Sequence, residues 1–583
     1  MIAPDVVADV RHPLRLATFD TVAEGLDYAG LGQAGCTFFS SRGEPTCTLG
    51  YSEIREQSLA LAHRLVAQRL KRFARVAIIG ETGPDFLVAF FACHYAGMLP
   101  VPLPIDVSFG GLEAYTRRLR AMLHAADVSL AIGPVELLPI LAKAAEPLVC
   151  MVATVGDLQT LSPGGSTLRP LGPEEPCHVQ YSSGSTRKPR GVLITQRSLL
   201  HNARAIARYG LALRPGDCGT SWLPLYHDMG LVGFCLTTML CQIPVHYLSP
   251  TAFARRPQVW LKILSEYGGT ISFSPTAGYE LCERSARNGA GRRLDLRHWR
   301  IAGVGGDMLR PDVLDRFVER FAPYGFSASA FVPSYGLAES TLAVSFGPLG
   351  MGVRRDMVNL DALELSGHAV PARLTDGLSP EKVRPFAICG RPLPGHDIAI
   401  RDDNGTTLPD RQVGRVWIKG PSVMSDYFDD PAVLSAAPPS DRWLDTGDLG
   451  YSRGGELVIA GRSKDLIIWN GRNIWPQDLE WAVGEVQGIR SGAVAAFAID
   501  GGKRGEEIVV IAECRSMDAR FWPELRRAIT MTLHRTAGVV CRLVLAPPHS
   551  LPFTSSGKLS RAAAQTLYLQ GTIKDVADGS SMV

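Results

Sequence analysis

The sequence has few of the features that mark nucleic-acid-binding proteins, disulfide-stabilised proteins or zinc-knuckle proteins. Among its 583 residues, 60 Lys and Arg offset 57 Asp and Glu, so the net charge is only +3. Such a small excess predicts no general attraction to nucleic acid or to anionic lipid. The 12 cysteines include no CxxC pair, which argues against both a disulfide framework and a zinc knuckle. We expect reduced, mostly buried thiols in a cytoplasmic protein.

Long uninterrupted apolar runs are also scarce. Two uncharged runs, 86–105 and 229–254, have the length of a membrane span, but prolines and polar residues interrupt both. We therefore expect buried helix-plus-strand segments and no membrane span, and the second run could also line a site for an apolar ligand. Near the N-terminus, Asp5 and Asp9 stand where the apolar core of a secretory signal would lie, so we expect no such signal.

The composition that remains is that of a globular protein, with 46% hydrophobic and 20% charged residues. The first half alternates strand-like and helix-like segments. Strands are expected at 75–80, 128–133 and 148–153, and an apolar helix at 84–96 that begins with Pro84. This alternation predicts an α/β fold with a largely parallel sheet.

The second half has a different pattern of segments. Short β-rich runs at 414–420, 455–461 and 464–471 are separated by Gly, Pro, Asp and Asn. From about Asp465 the chain is expected to form a separate α+β unit of roughly 120 residues. Its expected elements are three strands, at 494–499, 507–513 and 539–546, and one helix, at 518–535.

The strongest local pattern is VQYSSGSTRKPRGVLIT at 179–195, in which two β-like runs flank a loop of Ser, Gly and Thr. Small residues let backbone N–H groups approach phosphate oxygens, and the hydroxyl groups add further donors. The loop is not a Walker A loop, because the chain contains no GxxxxGK[ST] and a strand follows. A solvated Ser/Gly hairpin is the alternative interpretation.

This loop resembles the phosphate-binding loop of the adenylate-forming superfamily, and five further motifs follow in that superfamily's order. They are WLPLYHDMGL (222–231), YGLAEST (335–341), DTGDLG (445–450), GRSKDLI (461–467) and TSSGKLSR (554–561). The resemblance implies a large multi-layered N-terminal AMP-binding domain, 1–464, made of α/β subdomains and a β-rich subdomain. It also implies a small mobile α+β C-terminal domain, 465–583, that carries a catalytic Lys.

Several details resemble one branch, the fatty acyl-AMP ligases. WLPLYHDMGL, the Ala in YGLAE, the Arg in SGSTR and the segment GRNIWPQDLE (471–480) are similar to forms found in that branch. The interval from Glu339 to Gly390 could hold the insertion that marks the branch, within about 345–388. Enzymes of this branch use ATP and Mg²⁺ to activate a fatty acid as acyl-AMP. They then deliver the acyl group to an acyl carrier protein.

The resemblance assigns the nucleotide site residue by residue. The β- and γ-phosphates would be held by Ser182, Ser183, Gly184, Ser185 and Thr186, with Arg187 and Lys188 adding positive charge. Tyr335, in the run Ser334, Tyr335, Gly336 and Leu337, would lie against the adenine face, and Gly305, Gly306 and Asp307 along its edge. At 305–308 this chain has GGDM where the superfamily often has GAEP, so this part of the resemblance is weaker. Asp448 would accept both ribose hydroxyls, assisted by Arg462.

Three residues would take part in the chemistry. Glu339 would bind Mg²⁺ together with Thr186; a carboxylate near a helix start is the alternative. His227 would lie near the α-phosphate, although a lone His is more often structural and Asp228 could merely cap the next helix. Lys558 would contact the carboxylate and the α-phosphate after closure of the small domain about a hinge at Lys464–Asp465.

The acyl pocket would be lined from 229–240 and 271–281, and Phe273 is hypothesised to narrow it and favour medium chains. No carrier segment is recognisable, so the acceptor would act in trans, in polyketide, peptide or lipid assembly. A fatty acyl-CoA synthetase is the first alternative, separated by its acceptor. A catalytically silent nucleotide or lipid sensor is the second, and the presence of Glu339, Asp448 and Lys558 argues against it.

Overall fold

The core of the molecule is a nine-stranded sheet whose central strands are parallel. The computed structural model describes residues 12–105, 111–146, 148–165, 167–181, 190–286, 294–373, 377, 379–428, 442–500, 506–516, 518–554 and 557–576. Across the sheet the strands are β17 (Arg391–Pro392), β14 (Ala343–Phe346), β13 (Phe331–Gly336), β12 (Ile301–Val304), β11 (Ile271–Ser274), β9 (Gly219–Ser221), β10 (Val245–Leu248), β1 (Gly35–Phe39) and β2 (Pro45–Gly50). Pairing from β13 to β1 is parallel and the edge pairs are antiparallel, which confirms the predicted α/β class with a largely parallel sheet.

A second, four-stranded parallel sheet lies in the N-terminal third, with an antiparallel hairpin beside it. Its order is β4 (Leu99–Leu103), β3 (Arg75–Ile79), β5 (Val128–Ile132) and β6 (Met151–Ala153), and the hairpin is β7 (Pro176–Tyr181) and β8 (Gly191–Thr195). The uncharged run 86–105 forms a buried helix, 84–96, followed by the edge strand β4. An edge strand tolerates Pro100 and Pro102 because one side of it needs no ladder donors.

Helices cover both sheets. They are α1 (Val22–Ala29), α2 (Tyr51–Ala67), α3 (Pro84–Ala96), α4 (Gly111–Ala125), α5 (Leu138–Ala145), α6 (Val155–Thr160), α7 (Gln196–Ala205), α8 (Thr237–Leu240), α9 (Pro250–Arg255), α10 (Gln258–Glu266), α11 (Thr276–Ala286), α12 (Pro311–Phe321) and α13 (Leu360–Ser366). Two π-helical segments, Ile206–Gly210 and Met229–Leu236, adjoin α7 and α8. The second uncharged run, 229–254, forms the π-helix Met229–Leu236, α8, β10 and most of α9. This agrees with the expected buried helix-plus-strand segment.

A β-rich region follows the nine-stranded sheet. It consists of a hairpin, β15 (Arg355–Asn359) and β16 (Val383–Ala387), and an antiparallel sheet of β18 (Asp397–Arg401), β19 (Gly414–Lys419), β20 (Leu444–Arg453) and β21 (Glu456–Arg462). The hairpin and α13 lie inside 345–388, where an insertion is predicted. That insertion, and the domain boundary at 464/465, stay predictions. We call 12–464 the large lobe and 465–576 the small lobe.

The small lobe has a sheet that is buried on both faces. Its elements are β22 (Ile467–Trp469), β23 (Arg472–Ile474), α14 (Pro476–Gly484), β24 (Ile489–Asp500), β25 (Glu506–Cys514), α15 (Trp522–Ala537), β26 (Cys541–Ala546) and α16 (Arg561–Leu569). Along β24, Val494 and Ala496 pack with α14 and α15, whereas Ala495 and Phe497 pack with α16. This alternation is what successive side chains on opposite faces of a strand produce.

Several predicted boundaries were wrong by a few residues. The helix expected from residue 518 begins at Trp522, after a 3₁₀ turn, because Pro523 suits the first helical turn. It continues to Ala537 and ends at Gly538, whose φ of +63° is left-handed. The strand expected at 148–153 is confined to 151–153. The β-rich run 464–471 contains the strand 467–469, preceded by a 3₁₀ turn at Ser463–Asp465.

All 12 cysteines lie in described parts of the chain and are free thiols, nine of them buried. Among the helices of the described ranges, none is both long and apolar enough to cross a bilayer.

Candidate active site

One cavity of about 180 Å³ opens at the carboxyl ends of the parallel strands, where ligands bind in open α/β sheets. The segments that follow β9 and β12 contribute His227 and Gly306, and the end of β13 contributes Ser334. Of the residues predicted for the site, the cavity brings together His227, Gly306, Ser334, Tyr335, Gly336, Leu337, Glu339, Asp448, Arg462 and Lys558. Every one of these except Lys558 belongs to the large lobe.

Asp448 is buried at the polar end of the cavity and both of its oxygens have partners. Tyr335 Oη donates to Asp448 Oδ2 at 2.7 Å, and Arg462 Nε lies 3.2 Å from Oδ1. Burial raises the pKa of Asp448, against the opposing effects of Arg462, Tyr335 and Lys558. A diol bound at Asp448 would have to share the carboxylate with these groups or displace Tyr335.

Glu339 points into the same cavity from the connection between β13 and β14. Tyr427 Oη donates to Glu339 Oε1 at 3.0 Å. Burial raises the pKa of Glu339, with Asp228 raising it further and Arg462 opposing. A desolvated carboxylate beside another acidic group suits a hard divalent cation, so Glu339 fits the predicted Mg²⁺.

His227 and Asp228 form a close pair at the middle of the cavity wall. His227 Nδ1 lies 2.6 Å from Asp228 Oδ1. Burial alone would raise the pKa of Asp228, but its interaction with His227, the charge of Lys558 and the hydrogen bond from Met229 together hold that pKa below its usual value. Asp228 also accepts a hydrogen bond from the N–H of Met229 at 2.7 Å, so the helix cap proposed as an alternative role is present as well.

Lys558 reaches the cavity from a loop of the small lobe. The loop is closed by two hydrogen bonds, from Thr554 N–H to Lys558 O at 2.7 Å and from Lys558 N–H to Thr554 Oγ1 at 3.2 Å. Gly557 has a φ of +79°, which a glycine adopts without strain. Lys558 thus lines the cavity from the small lobe, and its positive charge lowers the pKa of the Asp228 and Asp448 carboxyl groups.

Two other predicted residues lie beside the cavity without lining it. A Cβ on Gly305 would come within 2.6 Å of Ser334 Oγ, so only glycine allows this approach. Burial lowers the pKa of Arg462, but the charges of nearby acids, Asp307 among them, raise it above its usual value. Ser182, Ser183, Gly184, Ser185, Thr186, Arg187 and Lys188 fall within 182–189, outside the described residues.

The opposite end of the cavity is apolar. Phe273 lies between Phe234 and Phe346, with ring centroids 6.2 Å from each. The wall is completed by Ile206, Leu211, Leu213, Ile243, Ile271 and Leu342. The predicted segment 229–240 lines the cavity, but 271–281 does so only through Ile271 and Phe273. The remaining residues of that segment do not line this cavity, and in α11 an added Cβ at Gly278 would meet Trp222 and Ser274.

Sequence reasoning missed Tyr427 and left Arg190 without a role. The Arg190 guanidinium lies 3.4 Å from the centroid of the Tyr427 ring, which in turn contacts Glu339. A bridge between Val192 and Tyr427 joins the two segments. Arg190 lies in the phosphate-loop pattern 179–195, whereas a lone Tyr in SDYFDDP carries no recognisable pattern.

Comparisons with known proteins agree with this geometry. The sequence profile of the AMP-binding enzyme family matches residues 33–428. A solved structure from a study of fatty acyl-adenylate ligases from E. coli and L. pneumophila is similar, with a TM-score of 0.90 and 40% identity. The match covers 96% of this chain and 100% of that one.

Two curated relatives span nearly the whole chain. A Caulobacter vibrioides protein with the provisional name acyl-CoA synthetase is 46% identical, covering 96% of this chain and 97% of its own. The medium-chain-fatty-acid–[acyl-carrier-protein] ligase JamA of Moorena producens is 31% identical, covering 95% and 96%. The chain therefore belongs to the AMP-binding enzyme family and is an adenylate-forming ligase similar to the fatty acyl-AMP ligases.

Proposed function

We propose that the protein activates a fatty acid with ATP as acyl-AMP and then transfers the acyl group to the phosphopantetheine thiol of an acyl carrier protein in trans. The observation that carries the first step is the composition of the cavity at the carboxyl ends of the parallel strands. Its far end is a wall of apolar side chains, and its other end holds two carboxylates, Glu339 and Asp448, with Lys558. An apolar tail and a polar, charged head are what a fatty acid and ATP together would present.

In the first half-reaction a carboxylate oxygen of the acid attacks the α-phosphorus of ATP. The bond from that phosphorus to the bridging oxygen breaks, and pyrophosphate leaves with the electron pair. The Lys558 amine, already held near Asp228 and Asp448, would stabilise the charge that develops on the α-phosphate oxygens. His227, fixed by Asp228, would donate a hydrogen bond to the same group.

The nucleotide would lie along Ser334, Tyr335, Gly336 and Leu337, with Gly305, Gly306 and Asp307 at the adenine edge. Asp448 and Arg462 would bind the ribose, and 182–188 the phosphates. Mg²⁺, when bound by Glu339 and Thr186, would supply neutralisation of phosphate charge. Tyr427 orients the Glu339 carboxylate for this purpose through its hydrogen bond.

In the second half-reaction the thiolate of the carrier attacks the acyl carbonyl carbon, and AMP leaves as the C–O bond breaks. Domain 465–583 would turn about Lys464–Asp465 to admit the thiol. JamA's name, with a carrier protein as acceptor, supports this choice. The name of the Caulobacter relative supports CoA as the competing acceptor. Activity on a carrier in trans fits a cytoplasmic location.

The deciding experiment is mass spectrometry of phosphopantetheinylated carrier proteins after incubation with the protein, ATP, Mg²⁺ and a panel of fatty acids. A parallel reaction contains CoA instead of the carrier. We expect an acyl-carrier product and little acyl-CoA. Rapid formation of acyl-CoA with no acylated carrier would overturn the proposed acceptor while leaving the adenylation step intact.

A further inference from the structure

The loop that carries Glu339 has an unusual backbone geometry. The connection 337–342 joins the antiparallel strands β13 and β14 and begins with a 3₁₀ turn at Ala338–Ser340. The N–H of Leu342 then donates to the carbonyl of Ser340 at 2.7 Å, which closes a γ-turn around Thr341. Thr341 has φ +67° and ψ −57°, the rare and strained form of this turn.

A β-branched residue at positive φ persists only where its surroundings hold it there. Thr341 is fully buried, and its Oγ1 donates to the carbonyl of Ser422 at 2.9 Å. The Oγ atoms of Ser340 and Ser422 lie 3.3 Å apart. Ser422 therefore contacts both Thr341 and the preceding residue of the turn, Ser340.

Asn202 ties this contact to the strand that follows. Its amide bridges the backbone of Ala343, accepting from N–H at 3.0 Å and donating to the carbonyl at 2.8 Å, and it donates to Ser422 Oγ at 3.0 Å. His396 Nε2 contacts the same hydroxyl. Asn202, Ser340, Thr341 and Ser422 all have no exposed surface. A buried, mutually satisfied set of this kind rigidifies the elements it joins.

The segment beginning at Ser422 also holds Glu339 directly. The N–H of Met424 donates to the Glu339 carbonyl at 2.7 Å, and Tyr427 Oη donates to its carboxylate at 3.0 Å. Thr341 and Ser422 thus fix the register between the turn and the 422–427 segment, and that register places Tyr427 opposite Glu339.

We propose that Thr341 is a positioning residue for Glu339. Its bond to Ser422 holds the strained γ-turn, and the γ-turn holds the Glu339 carboxylate in the orientation that binds Mg²⁺ with ATP. This inference rests on the proposed role of Glu339. The other interpretation is that Thr341 contributes only a buried hydrogen bond to stability.

Equilibrium binding separates the two interpretations. The affinity for ATP is measured by isothermal titration calorimetry with Mg²⁺ and with excess EDTA, and the ratio of the two is the readout. Thr341→Val keeps the shape and removes the hydroxyl, so we expect the ratio to fall about tenfold, as for partners that orient metal ligands. Thr341→Ser keeps the hydroxyl and should retain the wild-type ratio.

Ser345→Ala is the matched control, because Ser345 is a fully buried hydroxyl on the same hairpin that donates to the Cys389 carbonyl at 3.0 Å. It should lower thermal stability without changing the ratio. If Thr341→Val does not fold, Thr341→Ala replaces it, since alanine lacks the hydroxyl and, unlike glycine, is still disfavoured at a positive φ.

A wild-type ratio in the folded hydroxyl-free variant, or an equal fall in Ser345→Ala, would overturn the positioning role. Glu339→Gln serves as the reference in both cases. If it abolishes the Mg²⁺ dependence while Thr341→Val does not, only the positioning inference fails. If Glu339→Gln itself leaves the ratio unchanged, the proposed Mg²⁺ role of Glu339 is wrong, and the inference falls with it.

Discussion

The ring of Phe273 forms part of the apolar wall of the cavity. Phe273 pairs with Gly303 on the neighbouring strand, and a Cβ at Gly303 would come within 2.1 Å of that ring. Gly210 similarly leaves room for Phe346, whose ring would lie 2.8 Å from an added Cβ. The absence of a side chain at these two glycines thus leaves room for the Phe273 and Phe346 rings, and an added Cβ would displace them.

Phe273→Gly should move the preferred fatty acid to longer chains, because removing the ring opens the apolar end. Activity across C6–C16 acids measures the shift. Gly303→Ala is the reciprocal variant, since the new methyl group would push the Phe273 ring into the cavity and favour shorter acids. An unchanged optimum in both variants would contradict the role of Phe273.

Single residues also mark where sequence reasoning stopped. Lys558, Asp448, Glu339 and His227 could be placed because each stands in a motif whose chemistry depends on that residue type. The strain at Thr341 and the contact between Tyr427 and Glu339 could not, since both arise where segments 80 or more residues apart meet in the fold. No pattern among neighbouring residues predicts contacts between segments so far apart in the sequence.

At the scale of elements, the lobes are joined by an ion cluster between α12 and α14. Arg310, just before α12, contacts Glu485 Oε1 at 3.1 Å and lies 5.5 Å from the centroid of the Trp481 ring. Glu280 in α11 lies 3.6 Å from Arg310 and accepts from Ser491 of the small lobe at 3.4 Å. These contacts favour the arrangement in which Lys558 faces the cavity.

Glu485→Ala should therefore slow acyl-adenylate formation, since Lys558 would be held at the reaction centre for less of the time. Glu485 is half exposed, so the effect should be about two- to fivefold, the scale of a partly exposed ion pair. Single-turnover formation of acyl-AMP measures it. The control is Glu507→Ala, which removes a pair with Arg542 inside the small lobe. An equal loss in the control would contradict the account.

Elements with strong local signals were predictable from the sequence. The limits of α3 follow from Pro84 at its start and Gly97, with φ +69°, at its end. By contrast, the π-helical turns at 206–210 and 229–236 and the apolar wall contributed by Leu342 and Phe346 depend on packing across the cavity. Periodicity along the chain does not encode that packing.

For the whole molecule, buried histidines predict sensitivity to acid. Burial lowers the pKa of His94 and His178 to about 3, and that of His246 and His396 to about 4. The unfolded chain binds protons at these sites below about pH 6.5, whereas the folded chain does not. Their contribution to stability is complete above that pH and is lost as the pH falls toward about 4 for His246 and His396 and about 3 for His94 and His178.

The melting temperature should consequently fall steeply between pH 6.5 and pH 4.5. His246→Gln should flatten this dependence, because one of the proton-binding sites of the unfolded chain is removed. His124→Gln, at an exposed position of α4, should leave it unchanged. Scanning calorimetry at a series of pH values makes the comparison, and identical slopes for wild type and His246→Gln would contradict this origin of the acid sensitivity.

The meeting of the two lobes at the cavity makes Lys558 the residue on which the account depends most. The most direct measurement is fatty-acid-dependent ATP–pyrophosphate exchange by wild type, Lys558→Ala and Lys574→Ala, the last being an exposed lysine of the same lobe. The account predicts that exchange falls about 10²–10³-fold in Lys558→Ala and stays at the wild-type rate in Lys574→Ala. Wild-type exchange by folded Lys558→Ala would contradict it.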